Sequence, residues 1–214
     1  MADMQYQNWL WEKLGHQTIE NLKKHGFEGH LVLTVEEGRN LITERVKKFE
    51  SIGFGGSATV RALDLPKTLE QADKTIYDHW DPNTEDSDLS LRLRQGRCDC
   101  FICSANAISL TGEIVNVDGV GNRTNAMTFG CPNVIIVAGV NKIALDLDGA
   151  LRRIREVAAP MRARSLNRDT PCAQTGICTD CNSPQRICRI TAILHRKPMM
   201  TEVTVVLVNE PLGF

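Results

Sequence analysis

Four cysteines lie close together near the carboxyl end of the 214-residue chain: Cys172, Cys178, Cys181 and Cys188. The segment around them is rich in Gly, Pro, Asn and Asp, which favours a flexible loop that wraps its side chains around one centre. Four thiolates suit either a tetrahedral zinc ion or an iron–sulfur cluster. Only one pair has the Cys-x2-Cys spacing of a zinc knuckle, and the full x5, x2, x6 spacing is closer to that of cluster-binding loops. We therefore predict a Cys-rich metal or cluster loop over residues 168–190, with an iron–sulfur cluster as cofactor and zinc as the alternative.

The charge distribution favours a negative centre in this loop. Residues 151–199 carry ten Lys or Arg and three acidic residues, although the whole chain has a net charge of -1. Arg168, Arg186 and Arg189 would offset the charge of a thiolate-bound centre or of an anionic ligand. The alternatives are a solvated basic face and cysteines that are structural or form disulfides. The near-neutral net charge indicates no general affinity for nucleic acid.

The other four cysteines are Cys98, Cys100, Cys103 and Cys131. Cys100 and Cys103 also have Cys-x2-Cys spacing, but their neighbours indicate a strand. Positions three apart on a strand point to opposite faces, so these two thiols do not readily share a metal. We predict that all four are small core residues or incidental thiols.

A glycine-rich turn, residues 53–59, follows a predicted strand and precedes a predicted helix. Gly55 and Gly56 leave backbone amides bare, while Ser57 and Thr59 add hydroxyls, so the turn is a candidate site for a phosphate or a carboxylate. The pattern is not a Walker loop. A turn that only packs a strand on a helix is the alternative.

A second candidate site lies in the polar segments that follow. Glu113 and Asp118 are candidate general acids or bases, and Arg123 is a candidate clamp for an anion. The predicted ligand-binding residues here are Asn106, Gly119, Gly121, Asn122 and Arg123, joined by Asn141 and Lys142 after a long apolar strand. The alternatives are an ordinary turn at Asp118, a solvated strand end at Glu113 and a solvated loop lysine at Lys142.

The elements that must position these residues alternate between helices and strands. Periodicity predicts helices over residues 4–25, 36–49, 57–63, 87–97 and 145–158, the first stopped by Gly26 and the third by Pro66. Strands are predicted over residues 31–35, 51–54, 100–104, 113–117, 134–140, 190–194 and 203–208, with a polar loop over 74–88. The apolar run 134–140 suits a central strand covered on both faces. We predict an α/β fold with a mostly parallel sheet flanked by helices, its last two strands antiparallel at an edge.

Length and composition predict one domain over residues 1–214. The longest apolar run is far shorter than the roughly 20 residues that cross a bilayer, and the amino-terminal residues do not form a secretory signal. We therefore expect a cytoplasmic protein without a membrane segment. A reducing compartment argues against disulfides.

Five segments of the sequence together resemble the motifs of the lactate-utilisation (LUD) domain family in a compact, single-domain form. These segments are residues 53–59, 104–108, 111–119, 121–123 and 171–188. The resemblance implies a fold like that of the ribose-phosphate isomerase and CoA-transferase superfamily. It also implies a link to the oxidation of lactate to pyruvate, together with iron–sulfur and other partner proteins. We expect a compact form without the ferredoxin-like extension of larger members, since no second cysteine array follows the Cys-rich loop.

Two main functions are compatible with these patterns, and a purely structural partner of a larger complex is a third alternative. The first is a redox component of lactate or related organic-acid utilisation, which binds a small organic anion and works with a redox partner protein. The second is a non-redox enzyme or binding module for a phosphorylated or CoA-linked small molecule, with a structural zinc site. The sequence leaves open whether the protein is an enzyme, and it is compatible with a homo-oligomer.

Overall fold

A computed structural model of the chain describes residues 2–71 and 74–214. Met1, Ala72 and Asp73, which the predicted domain 1–214 includes, lie outside the described residues. The helices are α1 (Ala2–Lys24), α2 (Val35–Val46), α3 (Ala58–Ala62), α4 (Leu65–Glu70), α5 (Asp88–Gln95), α6 (Asn122–Thr128), α7 (Leu147–Arg153), α8 (Ala159–Ser165) and α9 (Pro171–Thr175). The strands are β1 (Glu28–Val32), β2 (Ser51–Phe54), β3 (Thr75–Asp78), β4 (Cys100–Cys103), β5 (Ala107–Ser109), β6 (Ile114–Asp118), β7 (Asn133–Gly139), β8 (Ile143–Ala144), β9 (Ile190–Leu194) and β10 (Glu202–Val208).

The main sheet has six strands in the order β1-β10-β7-β4-β2-β3, and every pair in it is parallel. This confirms the predicted α/β fold with a mostly parallel sheet flanked by helices. Along β7, Val134 and Ile136 belong to one hydrophobic cluster and Ile135 and Val137 to another, on the opposite face. Burial on both faces explains why this strand is a continuous apolar run.

A smaller sheet of four strands, in the order β8-β5-β6-β9, packs beside the main one. Its outer strand β9 is antiparallel to β6, as predicted for a late edge strand. The same prediction is wrong for β10, which lies parallel between β1 and β7. Residues 203–208 are all buried, so this strand has the two-sided burial of an inner parallel strand.

Gly26 and Pro66 are both predicted to end helices, but the structure confirms this only for Gly26. Gly26 adopts a left-handed φ of 85° directly after α1 and its terminal turn, which confirms the predicted helix stop. Pro66 instead lies in the first turn of a second short helix, α4. A proline is tolerated there because the first-turn N–H groups have no partner within the helix.

Three further segments differ from the predictions. Strand β3 lies within the predicted polar loop 74–88, and α6 forms in the polar segment after Gly121. The predicted helix 145–158 is interrupted by one π-helical turn, Ile154–Ala158, which continues into α8. Pro160 follows this turn and has no N–H to donate, which favours a break in the regular hydrogen-bond pattern. Among the described helices, none combines the length and the apolar character needed to span a bilayer.

Candidate functional site

A cleft of about 260 Å³ is lined by residues that directly follow the carboxyl ends of β2, β3, β4 and β7. The end of β6 and the π-helical turn form the opposite wall. In open α/β sheets this end is where ligands bind, because several loops diverge there. The predicted residues that line the cleft are Gly56, Ser57, Thr59, Asn106, Asp118, Gly119, Asn122, Arg123 and Lys142.

Lys142 lies in the turn after the central strand β7 and is 4% exposed. Its Nζ atom donates hydrogen bonds to the Thr59 hydroxyl at 2.7 Å, the Ser104 hydroxyl at 2.9 Å and the Ala105 carbonyl at 3.2 Å. Burial, together with the positive charges of Arg153 and Arg123, lowers the pKa of Lys142 to about 7. All three hydrogen-bond partners are neutral, so the positive charge is not compensated by them.

Arg123 extends from α6 along the wall of the cleft that the end of β6 forms. Its guanidinium donates to the Ser104 carbonyl at 3.2 Å, the Asn106 side-chain oxygen at 3.0 Å and the Val117 carbonyl at 2.7 Å. These acceptors are also neutral. Arg123 and Lys142 therefore both present a positive charge that an anionic ligand would compensate.

Several cleft residues were not predicted as ligands. Trp80 has Arg162 at 4.9 Å and Arg61 at 5.3 Å from its ring centroid, within range of cation–π attraction. Arg92 and Arg168 add further positive charge, and His79 lies beside Trp80. Arg162 and Arg168 belong to the basic segment 151–199, and this excess of positive charge is the sequence feature that could have identified them as cleft residues. Trp80 and His79 follow the unpredicted strand β3.

The glycine-rich turn contributes to the cleft through its second half. Ser57 caps α3 by accepting a hydrogen bond from the Val60 amide at 3.2 Å. A Cβ atom on Gly56 would lie 2.9 Å from the Trp80 ring, so this glycine leaves room for the indole. Gly55 does not line the cleft. A Cβ atom there would lie 3.1 Å from both the Cys103 Cβ atom and the Phe101 ring, so Gly55 allows β2 to pack closely on β4.

Asp118 ends β6, and its carboxylate accepts a hydrogen bond from the Thr124 amide in α6 at 3.2 Å. Asn122 accepts one from Arg92 at 3.0 Å. Two other predicted ligands do not line the cleft. Gly121, with φ 98°, starts α6, and Asn141 accepts a hydrogen bond from the Leu212 amide.

Glu113 is not brought to the cleft. It lies in the turn between β5 and β6, where its carboxylate accepts hydrogen bonds from the Ser109 and Thr111 hydroxyls. Burial alone would raise the pKa of Glu113, but these hydrogen bonds outweigh it and hold the pKa below its usual value. The geometry gives this carboxylate a structural role in the turn.

The Cys-rich loop folds around Arg186. The guanidinium donates to the Cys188 carbonyl at 2.7 Å, the Cys181 carbonyl at 2.6 Å and the Asp180 carboxylate at 2.7 Å. The loop is joined to the cleft wall because the Arg189 amide donates to the Asp118 carbonyl at 3.0 Å. The loop therefore has a defined path beside the cleft.

A second cavity of about 290 Å³ lies under this loop. Its walls include two cysteines, two arginines and apolar side chains of β6, α7 and the π-helical turn, namely Cys178, Cys188, Arg155, Arg186, Val117, Leu151 and Ile154. Cys188 lines both this cavity and the cleft. One thiol thus borders both spaces.

The side chains near the Cys-rich loop bear on the choice between the two predicted cofactors, a zinc ion and an iron–sulfur cluster. Within residues 2–71 and 74–214, no three His, Cys, Asp or Glu side chains form a group that could hold one metal ion. Burial raises the pKa of the Cys188 thiol, the Arg186 guanidinium opposes that rise, and Cys172, Cys178 and Cys181 add to it. A multi-iron cluster places iron and sulfide between its thiolates, so its ligands stand further apart than those of a single ion. All four thiols are partly exposed, and two of them, Cys178 and Cys188, line the cavity under the loop. Cysteine thiolates are the usual ligands of iron–sulfur clusters, so the residue types present suit such a group.

The remaining cysteines are buried, which confirms that they are core residues. Cys100 and Cys103 belong to hydrophobic clusters on opposite faces of the main sheet, as expected for strand positions three apart. Cys98 and Cys131 lie with their sulfur atoms 3.6 Å apart.

Comparisons with known proteins agree with this architecture. A family model described as the LUD domain matches residues 15–208. A crystal structure of a DUF162 family protein from Deinococcus radiodurans is similar over 92% of this chain and 98% of its own, with 14% sequence identity and a TM-score of 0.55. At this identity the similarity concerns the fold alone.

Two other results are less informative. Ribose 5-phosphate isomerase from Plasmodium falciparum matches 52% of this chain and 54% of its own, with 16% identity and a TM-score of 0.32, too low to support a conclusion. Among curated proteins, none matches this chain.

Proposed function

The chain belongs to the LUD domain family, and on that premise we propose that it is a redox component of lactate or related organic-acid utilisation. In this proposal the cleft binds a small organic anion, and Cys172, Cys178, Cys181 and Cys188 hold an iron–sulfur cluster in the reducing cytoplasm. The observation that carries the proposal is the position of Cys188, which borders both the cleft and the cavity under the Cys-rich loop. Anion site and cluster site would then be neighbours.

The chain's own residues supply the anion site. Arg123 offers a planar guanidinium suited to a carboxylate, and Lys142 beside it adds a positive charge in those molecules in which its amine is protonated. Because both are held by neutral oxygen atoms, a carboxylate gains charge compensation without displacing an acidic side chain. Arg162 and Arg168 extend the positive potential towards the cleft opening and attract anions from solution.

The Cys-rich loop supplies the cofactor site. An iron–sulfur cluster, when bound, supplies one-electron transfer. Arg186 holds the backbone of the loop in place, and Val117, Leu151 and Ile154 give the cavity beside the thiols an apolar wall. Oxidation of a hydroxy acid to an oxo acid releases two electrons, so a redox partner protein is needed as a further electron carrier. The partly exposed thiols place the loop where such a partner can approach.

Anaerobic purification followed by measurement of iron, sulfide and zinc per chain tests the proposal. We expect iron and sulfide in similar amounts and a visible absorption from thiolate–iron charge transfer. The Cys178→Ser/Cys181→Ser double variant should lose both. The matched control is Cys131→Ala, which removes a thiol buried in the main core and should retain them. Absorption that survives the double variant would refute the assigned ligands.

A second candidate function is a non-redox enzyme or binding module for a phosphorylated or CoA-linked small molecule. The observation that favours it is the number of cationic side chains in the cleft, four arginines and one lysine, together with the Trp80 ring. Phosphate groups and a planar base suit such a surface. Colourless protein with one zinc per chain, stabilised against heat by sugar phosphates or CoA esters, would support this function instead.

A further inference from the structure

Lys142 has no acidic partner on the floor of the cleft. None of the ion pairs among the described residues involves it. Its three acceptors are the Thr59 hydroxyl, the Ser104 hydroxyl and the Ala105 carbonyl. A buried ammonium with only neutral partners is costly to keep charged. The environment therefore favours the neutral amine more than solvent does.

The hydrogen-bond network accommodates both protonation states. A neutral amine has two N–H donors and one lone pair. The Ser104 hydroxyl, which donates to the Ala105 carbonyl at 3.3 Å, can rotate and donate to this lone pair, while the Thr59 hydroxyl and the Ala105 carbonyl still accept from the amine. No polar group is left without a partner when Lys142 loses its proton.

The surrounding charges act in the same direction. Burial, with the positive charges of Arg153 from α7 and Arg123 from α6, lowers the pKa of Lys142 to about 7, and the Cys103 thiol of β4 opposes this shift. Near neutral pH a large share of the side chain is then the neutral amine. A neutral lysine amine is a nucleophile towards carbonyl carbon.

Arg123 stands on the other side of Ser104. Its Nη1 atom donates to the Ser104 carbonyl at 3.2 Å, while Lys142 donates to the Ser104 hydroxyl at 2.9 Å. A 2-oxo acid carries a carboxylate directly beside its carbonyl carbon. The Arg123 guanidinium can bind the carboxylate of such an acid, and the Lys142 amine can attack its carbonyl carbon.

We propose that Lys142 condenses with the carbonyl group of a 2-oxo acid held by Arg123 and forms a covalent imine. The Nζ lone pair attacks C2, a C–N bond forms, and the carbonyl oxygen becomes the hydroxyl of a carbinolamine. That oxygen then leaves as water with the two hydrogens that the amine carried, and the C=N bond forms. The Thr59 and Ser104 hydroxyls, both within hydrogen-bond distance of Nζ, transfer the protons. No oxidant or reductant is consumed. The inference rests on the anion-binding part of the proposed function and does not depend on the cluster.

Borohydride reduction tests the imine, because it converts the imine to a stable secondary amine. The full chain is incubated with pyruvate and sodium borohydride, and the modified residue is located by peptide mass spectrometry. We expect one saturable adduct per chain, on Lys142, formed more slowly when lactate competes. Lys142→Met should abolish it. Lys197→Met, which removes another partly buried lysine outside the cleft, should retain it.

The absence of an adduct, or adducts spread over exposed lysines, would overturn the inference. Mapping on the wild-type chain decides the question even if Lys142→Met does not fold. Iron and sulfide measured on the same preparation separate the two proposals. An adduct in iron-free protein supports the imine and refutes the cluster, whereas iron-loaded protein without an adduct refutes the imine alone.

Discussion

Arg123 donates a 3.2 Å hydrogen bond from its guanidinium to the backbone carbonyl of Ser104. The same guanidinium also reaches the Asn106 side chain and the Val117 carbonyl. It therefore ties the segment after β4 to the end of β6, which form different walls of the cleft. One side chain fixes the geometry of the cleft and supplies part of its charge.

Arg123→Ala should lose both roles. We expect anion affinity to fall at least tenfold and the free energy of unfolding to fall by about 1–3 kcal/mol, because three acceptors lose a charged donor. Arg123→Lys keeps the positive charge but loses the several N–H donors of the guanidinium. Its anion affinity and its free energy of unfolding should therefore lie between those of the wild type and of Arg123→Ala. Calorimetric titration with lactate and urea denaturation measure the two effects. Arg97→Ala, an exposed arginine outside the cleft, is the control, and an equal loss of affinity in it would contradict the assignment.

Trp80 should report on ligand binding through its fluorescence. Its ring lies 4.9 Å from the Arg162 guanidinium, which an anion entering the cleft would displace or polarise. We expect the emission to change on titration with a dicarboxylate such as malate. Trp80→Phe should abolish the signal. Trp11→Phe, which changes an indole on α1 outside the cleft, should preserve it. If the fluorescence change is lost in Trp11→Phe instead of Trp80→Phe, the ligand binds outside the cleft.

Arg186 should order the Cys-rich loop before any metal binds. Its three donors hold two carbonyls and one carboxylate of residues 180–188. Without them we expect the metal-free loop to open more often, so that Arg186→Gln is cleaved roughly tenfold faster within residues 172–188, since about 1–2 kcal/mol of local stability is lost. Limited proteolysis of metal-free protein measures this. Arg164→Gln, an exposed arginine on α8, should be cleaved at the wild-type rate. Equal rates for the two variants would show that the loop does not depend on Arg186.

Much of the cleft could be predicted from the sequence because its motifs follow adjacent parallel strands. The turn at Gly56, the segment at Asn106 and the loop at Lys142 come directly after β2, β4 and β7, which are neighbours in the sheet. Carboxyl ends of parallel strands meet at one edge, so polar residues that follow them converge. Strand periodicity predicts that each segment follows a strand, whereas the order that makes β2, β4 and β7 neighbours is seen only in the structure.

The misplaced and missing residues have physical causes. Glu113 is close to Asp118 in sequence, but β6 lies between them, and five residues of extended chain span about 17 Å, which places them at opposite ends of the strand. Trp80 was missed because β3 is a four-residue edge strand in a polar region, where periodicity is too short to recognise. Arg162 reaches the cleft only through the packing of α8, a long-range relation that local patterns do not contain.

Lys142 should make stability depend on pH in a defined window. Burial lowers its pKa to about 7 in the folded chain, against about 10.4 for an unfolded lysine. Between these values the unfolded chain holds a proton that the folded chain has released, so the free energy of unfolding rises with pH, by at most about 1.4 kcal/mol per pH unit from this residue. Below pH 7 both states are protonated and the slope disappears.

The difference between wild type and Lys142→Met isolates this contribution, since the other titrating groups are common to both. Urea denaturation at several pH values between about 7 and 10 should give a wild-type stability that rises more steeply than that of the variant. Lys197→Met, whose lysine is ion-paired with Glu202 outside the cleft, should retain the wild-type slope. Parallel curves for wild type and Lys142→Met would mean that Lys142 keeps its proton throughout this range. Its ammonium would then be a permanent anion-binding charge, and it would have no neutral amine with which to attack a carbonyl carbon.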